Sequence, residues 1–222
     1  FAKDFEIPCV GGKVSLYNET SDGPIKPTPV IGVIGLIDKK PLKIQKINSG
    51  DSLIMIGDTK DELGGSEYSE YIHKFIGGKC PAVDFSESKK NMNCVLDIIE
   101  NELIKSAHDC SKGGLTIAIS ELCMINQIGC NVSLEKIPGE KLDSDKILFS
   151  ESHSRYLLTI ENKNLSKLEE TLKKYGVSYS LIGEFTGDSI CFSSDSKPII
   201  DLSVDKAQKT WFNSLKEMVL HA

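Results

Sequence analysis

His108, Asp109, Cys110, Ser111 and Lys112 stand in an unbroken polar run, and Gly113 and Gly114 follow at once. Leu115, Ile119, Leu122 and Cys123 then recur at helical spacing, so the polar run reads as a loop feeding the start of a helix. Glycines let the backbone approach a ligand closely, and the first N–H groups of a helix point outward as donors to an anion. Asp109, one step outside, is placed to hold a cation against that anion. The same residues admit a plainer use, in which Asp109 or Ser111 caps the helix and the glycines only make the turn. A short Gly pair does not separate the two. The ligand use gains weight from a second Gly-rich stretch near the start, Gly11-Gly12-Lys13-Val14-Ser15.

Composition narrows the classes. With 222 residues the chain can bury a real core, and 40% hydrophobic residues, 26% charged residues and a net charge of −6 describe an ordinary soluble protein. The acidic balance and the lack of a basic stripe with interleaved aromatics argue against nucleic acid as a partner. No apolar run is long enough to span a membrane and no signal peptide is present, so the expectation is a cytoplasmic protein. The seven cysteines (Cys9, Cys80, Cys94, Cys110, Cys123, Cys130 and Cys191) include no CxxC pair and read as free structural thiols in a reducing compartment.

The elements that would position these loops alternate between strand and helix, which predicts an α/β or α+β layer fold. Phe1 to Phe5 reads as the last turn of a helix and there is no initiator Met, so a fragment cut inside a domain is expected. Ile7 to Val10 reads as a short strand and Val30 to Ile37 as a buried one. The polar stretch from Asp38 to Ser52 is the best boundary. Beyond it the pattern predicts a strand over Leu53–Gly57, a short helix opened by Gly64-Gly65-Ser66-Glu67-Tyr68, and a helix over Lys90–Lys105. Strands follow at Cys130–Leu134 and Arg155–Ile160, and a helix from Leu165 to Tyr175 is stopped by Gly176. Tyr179–Phe185 and Ser189–Phe192 are expected to pair as a hairpin, before a last helix from about Asp205 that packs Ala207, Trp211, Leu215 and Met218.

Taken together, GGKVSLYNET at 11–20, PTPVIGVIGLI at 27–37, ELGGSEY at 62–68, AHDCSKGGL at 107–115 and LFSESHSRYLLTI at 148–160 resemble the C-terminal end of the large synthetase subunit of formylglycinamide ribonucleotide amidotransferase. The resemblance covers essentially the whole chain in order and spacing. It implies the C-terminal remnant of a second aminoimidazole ribonucleotide synthetase-like N-terminal domain over 1–38, a linker over 39–47, and the second C-terminal domain of that superfamily over 48–222. The implied reaction is ATP-dependent carbon–nitrogen ligation in purine synthesis, in which formylglycinamide ribonucleotide and ammonia give formylglycinamidine ribonucleotide. ATP and Mg²⁺ are the implied cofactors. The implied partners are the remainder of the same chain, a glutaminase subunit that supplies ammonia and a small bridging subunit.

Carried over by position, Gly12 touches ATP, Ser15 contacts substrate, and Lys13 stands where the family has an asparagine that holds Mg²⁺. A charged ammonium cannot ligate a metal. Asp109 falls at the Mg²⁺ ligand of the second loop, Gly113 and Gly114 at its nucleotide-binding glycines, and Lys112 where the family has an acid. Ser150-Glu151-Ser152 matches a substrate-contacting loop of the family's first half and is read here as structural; Glu67 is read as a carboxylate that fixes a loop. No catalytic residue falls in this chain, because the family's catalytic histidines lie in the first half, so the chain alone is expected to be inactive. Two other readings stay open: a different ATP-using enzyme of the superfamily, or a non-catalytic module that holds a nucleotide.

Overall fold

In a computed structural model, residues 1–25, 28–37 and 46–220 are described, except for the side chains of 215–218 and 220. The chain divides into two compact units, Phe1–Pro41 and Leu42–Ala222. The expected linker at 39–47 lies outside the described residues but for Lys46 and Ile47.

The first unit has little regular structure. One helical turn is closed by Phe5 N–H donating to Phe1 O at 2.9 Å. Strands β1 (Glu19–Thr20) and β2 (Gly23–Pro24) form a minimal antiparallel hairpin. The expected strands at Ile7–Val10 and Val30–Ile37 are not formed. Val30, Ile34 and Leu36 are more than 90% exposed rather than buried. A β-branched apolar run becomes a strand only where a neighbour takes its N–H and C=O groups, and no strand pairs with this run among the described residues.

The second unit is a layered α+β structure. Its elements in order are β3 (Ser52–Ile56), α1 (Glu67–His73), α2 (Phe85–Glu100), β4 (Ser106–Asp109), α3 (Gly114–Asn126), β5 (Cys130–Ser133), α4 (Ser144–Phe149), β6 (Tyr156–Ile160), α5 (Leu165–Tyr175), β7 (Tyr179–Phe185), β8 (Ser189–Ser194), β9 (Lys197–Ser203) and α6 (Val204–Leu220). Seven strands form one sheet in the order β4-β6-β3-β7-β5-β8-β9, antiparallel throughout except for the β5–β8 pair.

Strand β3 lies at the centre and shows why its sequence is apolar without alternation. Leu53 and Met55 face a core that contains Leu115, Ile119 and Leu122 of α3, Leu148 of α4 and Ala207 of α6. Ile54 and Ile56 face a second core, with Cys94, Val95 and Ile98 of α2 and Leu168 and Leu172 of α5. A strand covered on both faces needs apolar residues at every position. At the strand starts, Lys105 Nζ donates to both oxygens of Asp51, at 2.9 and 2.7 Å, in a buried pair.

Several expected boundaries move. The helix expected over Lys90–Lys105 runs from Phe85 to Glu100, because Asp84 caps it by accepting Glu87 N–H at 3.0 Å, and Glu102, at φ 53°, turns the chain toward β4. Strands β7 and β8 do not form the expected hairpin, because β5 lies between them. Gly129 makes that insertion possible: its N–H donates to Gly187 O at 2.8 Å, and a Cβ there would lie 2.3 Å from Ser189 O. Trp211 of α6 is half exposed, so among the described side chains the expected packing of that helix holds at Ala207 and not at Trp211, with Val204 buried at the same end of the helix as Ala207. The side chains of Leu215 and Met218 lie outside the described residues.

Candidate functional site

Three loops of the second unit converge on the start of α3. Asp109 ends β4, and Cys110 to Gly113 make the turn into the helix. Gly113 has φ 77° and Gly114 has φ 66°, a left-handed backbone that favours glycine. A Cβ on Gly114 would lie 2.5 Å from Ser150 O, so the helix start rests directly on the backbone that follows α4.

That neighbouring backbone is the Ser150-Glu151-Ser152 run. Ser150 Oγ accepts Glu62 N–H at 3.3 Å and Ser152 Oγ accepts Lys60 N–H at 3.0 Å, with both serines buried. Beneath it lies Arg155, 1% exposed, whose Nε donates to Ser152 O at 2.9 Å, Nη1 to Thr59 Oγ1 at 3.1 Å and Nη2 to Ser150 O. Burial pulls its pKa below the usual guanidinium value, against the nearby Cys110, Glu62 and Glu151. No carboxylate forms an ion pair with it among the described residues, so three oxygens of the 59–152 framework hold the fork in place.

Glu151 joins the third loop. Its Oε1 accepts both Gly113 N–H and Glu67 N–H at 2.9 Å. Lys112 Nζ donates to Glu67 Oε1 at 2.6 Å, which holds the Lys112 pKa above its ordinary value. Tyr68 stacks on Phe149 with ring centroids 4.6 Å apart. The ELGGSEY, HDCSKGG and FSES stretches are thus one connected structure.

A cleft of about 410 Å³ opens beside it, lined among others by Asp109, Lys112, Glu151, His153, Arg155 and Tyr156. Burial pushes the Cys110 thiol up to about 11, which leaves it protonated and unreactive at neutral pH. Burial, followed by the charge of Asp109, raises the Tyr156 phenol. On the far side of β4, His108 Nε2 lies 2.8 Å from Glu121 Oε2, and its Nδ1 lies 4.0 Å from Asp109 Oδ1.

The predicted residues divide between the units. Asp109 lines this cleft and is two-thirds exposed at its rim, whereas Gly113 and Gly114 are buried in the turn behind it and do not line it. Gly12, Lys13 and Ser15 belong to the first unit and are exposed there; a Cβ on Gly12 would meet nothing within 4 Å, and Asn18 Nδ2 donates to Ser15 O at 2.9 Å. Gly113 N–H is taken by Glu151 and Gly114 N–H by Ser111 O at 3.1 Å, so these donors already have partners in the chain. No group of three metal-ligating side chains occurs among the described residues. An exposed single carboxylate such as Asp109 still suits Mg²⁺, which is often held by one or two carboxylates together with phosphate and water.

Sequence reasoning missed Arg155. Its signal was available: it is the only arginine among 26 basic residues. A chain that otherwise uses lysine keeps arginine where a planar fork must meet several acceptors at once.

A mainly antiparallel sheet with helices on both faces and a loop cleft at one helix start defines a class. Residues 48–193 match the family described as AIR synthase related protein, C-terminal domain, and the chain belongs to that family. Within it, the chain is similar to phosphoribosylformylglycinamidine synthase subunit PurL. The protein of that name from Methanocaldococcus jannaschii is 37% identical over 226 residues, covering 98% of this chain and 30% of the relative. That from Alkaliphilus metalliredigens is 33% identical over 216 residues, covering 96% and 29%. The chain therefore spans under a third of the length of these curated relatives. Among solved structures, T. maritima PurL complexed with FGAR superposes with a TM-score of 0.68 at 19% identity, covering 75% of this chain and 29% of that one. E. coli HypE, a hydrogenase maturation protein, gives 0.54 at 15% identity, covering 75% and 52%. Both share the fold.

Proposed function

We propose that this chain is part of the ATP-dependent synthetase that converts formylglycinamide ribonucleotide and ammonia to formylglycinamidine ribonucleotide, a carbon–nitrogen ligase of purine synthesis. The observation that carries the reading is the hydrogen-bonded convergence of the Glu67, Lys112–Gly114 and Ser150–Ser152 loops, the stretches that also carry the resemblance. In this reading residues 1–38 end one synthetase-like domain and 48–222 form the next. The remainder of the chain, a glutaminase subunit and a small bridging subunit complete the assembly in the cytoplasm.

Phosphoryl transfer needs positioning and charge neutralisation more than covalent chemistry from the protein. Asp109 would hold Mg²⁺ against the phosphates of ATP or ADP along the 109–112 loop, with Gly113 and Gly114 setting the turn. Mg²⁺ would neutralise the phosphate charge. Gly12 and Ser15 would serve nucleotide and substrate from the first unit, and Lys13 would supply charge in place of a metal ligand. Because the Gly113 and Gly114 donors are engaged within the chain, the phosphates would be held in this reading through Mg²⁺ on Asp109 rather than by those two N–H groups. The test uses the full-length protein with ATP, Mg²⁺, ammonia and formylglycinamide ribonucleotide. Product should form, the 222-residue chain alone should give none, and Asp109→Ala should release bound nucleotide and lower the Tm. A ligand present at about 100 times its Kd adds roughly 2.7 kcal/mol of stability, which sets the size of that drop. A full-length protein that makes no product and gains no thermal stability from nucleotide and Mg²⁺ would sink the reading.

A further inference from the structure

Helix α1 has seven residues, none of them buried, and so cannot persist through its own hydrogen bonds or through a packed face. Its ties are side-chain contacts at its start. Ser66 caps it by accepting Ser69 N–H at 3.2 Å, Tyr68 stacks on Phe149, and Glu67 N–H reaches Glu151 Oε1. The same Glu151 oxygen accepts Gly113 N–H from the α3 turn, at the same 2.9 Å. Lys112 closes a ring by donating to Glu67 Oε1, and Glu151 N–H is anchored behind by Glu62 O at 3.1 Å. Charge-assisted hydrogen bonds of this kind are roughly twice as strong as neutral ones.

We propose that Glu151 is the positioning residue of the 109–114 loop. With one carboxylate oxygen it fastens the start of α1 to the turn into α3, and so sets the wall of the cleft on which Asp109 stands. Its consequence for a ligand rests on the nucleotide reading given above; the fastening itself does not. Glu151 touches backbone rather than reacting atoms, and it acts through the loop it holds.

The test compares Glu151→Ala, which removes the acceptor, with Glu151→Gln, which keeps an acceptor oxygen and loses the charge, in the full-length protein. Amide hydrogen exchange at residues 67–73 and 111–115 should accelerate together in Glu151→Ala by at least about tenfold, the size expected for losing hydrogen bonds to a charged group. Amides of β3 and β6 should keep their rates, and Glu151→Gln, with a neutral acceptor, should restore part of the protection. Binding of ADP with Mg²⁺ should weaken at least about tenfold in Glu151→Ala and recover in part in Glu151→Gln. If neither segment responds, or only one does, Glu151 is not the tie. Tighter ADP binding in Glu151→Ala would also overturn the proposal, since Glu151 would then be a competitor for the anion's place. Should wild-type protein bind no ADP at all, the nucleotide reading falls, and the exchange rates alone decide the positioning role.

Discussion

Arg155 shows how much one side chain can organise without touching solvent. Its three donor atoms satisfy Ser150 O, Ser152 O and Thr59 Oγ1, and the two carbonyls belong to a loop whose serines in turn hold the backbone of Lys60 and Glu62. Lysine cannot copy this, since one ammonium on a flexible stem does not reach three divergent acceptors. An unpaired buried acceptor costs about 1–3 kcal/mol, so Arg155→Met should destabilise by roughly 3–5 kcal/mol and Arg155→Lys by somewhat less. Urea unfolding of the 222-residue chain measures this. A loss below about 1 kcal/mol for Arg155→Met would mean that water or local rearrangement replaces the fork. The same residue marks the limit of sequence reading. Asp109, Gly113 and Gly114 stand out because they are polar or glycine beside a helical pattern, so the loop they make was legible. What was not legible is that Gly113 N–H and Gly114 N–H are already satisfied from within. That depends on Glu151 and Ser111, and no local spacing reports that Glu151 returns to this spot from beyond α4. Lys112, which by type suits a phosphate, is likewise turned to Glu67 by a contact between distant segments.

At the scale of elements, the sequence showed best what depends on local periodicity and caps. Helix α5 is a case: Leu165, Leu168 and Leu172 share a face, and Gly176, at φ 60°, ends the helix by donating to Leu172 O and Lys173 O. It failed where an element is defined by its neighbours. Strand β9 was missed because Pro198 breaks its pattern, yet β9 is an edge strand, where proline is tolerated because one side of the backbone needs no partner. The β8–β9 connection is held by Glu135, from the short 3₁₀ turn after β5. Its carboxylate accepts Ser133 Oγ at 2.6 Å, Ser194 Oγ at 2.8 Å and Asp195 N–H at 2.6 Å. The Ser133 hydrogen bond, followed by those from Asp195 and Ser194, lowers its pKa from 4.5 to about 2. A depressed folded-state pKa gives stability that is fully present above the unfolded value and is lost as pH falls through the folded one. Glu135→Ala should therefore lower the Tm of the chain above about pH 4.5, and the gap to wild type should close as pH approaches 2. A gap that stays constant across this range would show that the loss is one of packing and not of the carboxylate's charge.

The whole molecule divides unevenly. Among the described residues, both hydrophobic cores are built from Ile47 onward, and neither includes a residue of the first unit. The second unit thus has what a domain needs: one seven-stranded sheet, helices on both faces, and central strands apolar on both sides. The first unit has a two-stranded hairpin, one helical turn and an exposed run that includes Val30, Ile31, Ile34 and Leu36. Contiguous exposed apolar surface of this kind drives association with other copies or with a missing partner. The two features make opposite demands on one truncation. A chain that begins at Leu42 keeps every buried apolar residue described in both cores, so its urea midpoint should match that of the 222-residue chain, with a stability difference within about 1 kcal/mol. It also loses the exposed run, so it should elute as a monomer by size-exclusion chromatography with light scattering, at concentrations where the 222-residue chain forms larger species. If the shortened chain is instead unfolded, or loses several kcal/mol, the first 41 residues contribute to the stability of the second unit in solution. If both chains associate equally, the sticky surface lies elsewhere. The exposed Ile125, Trp211 and Phe212, which line a groove of about 540 Å³ between α3 and α6, would then be the next residues to replace with polar ones.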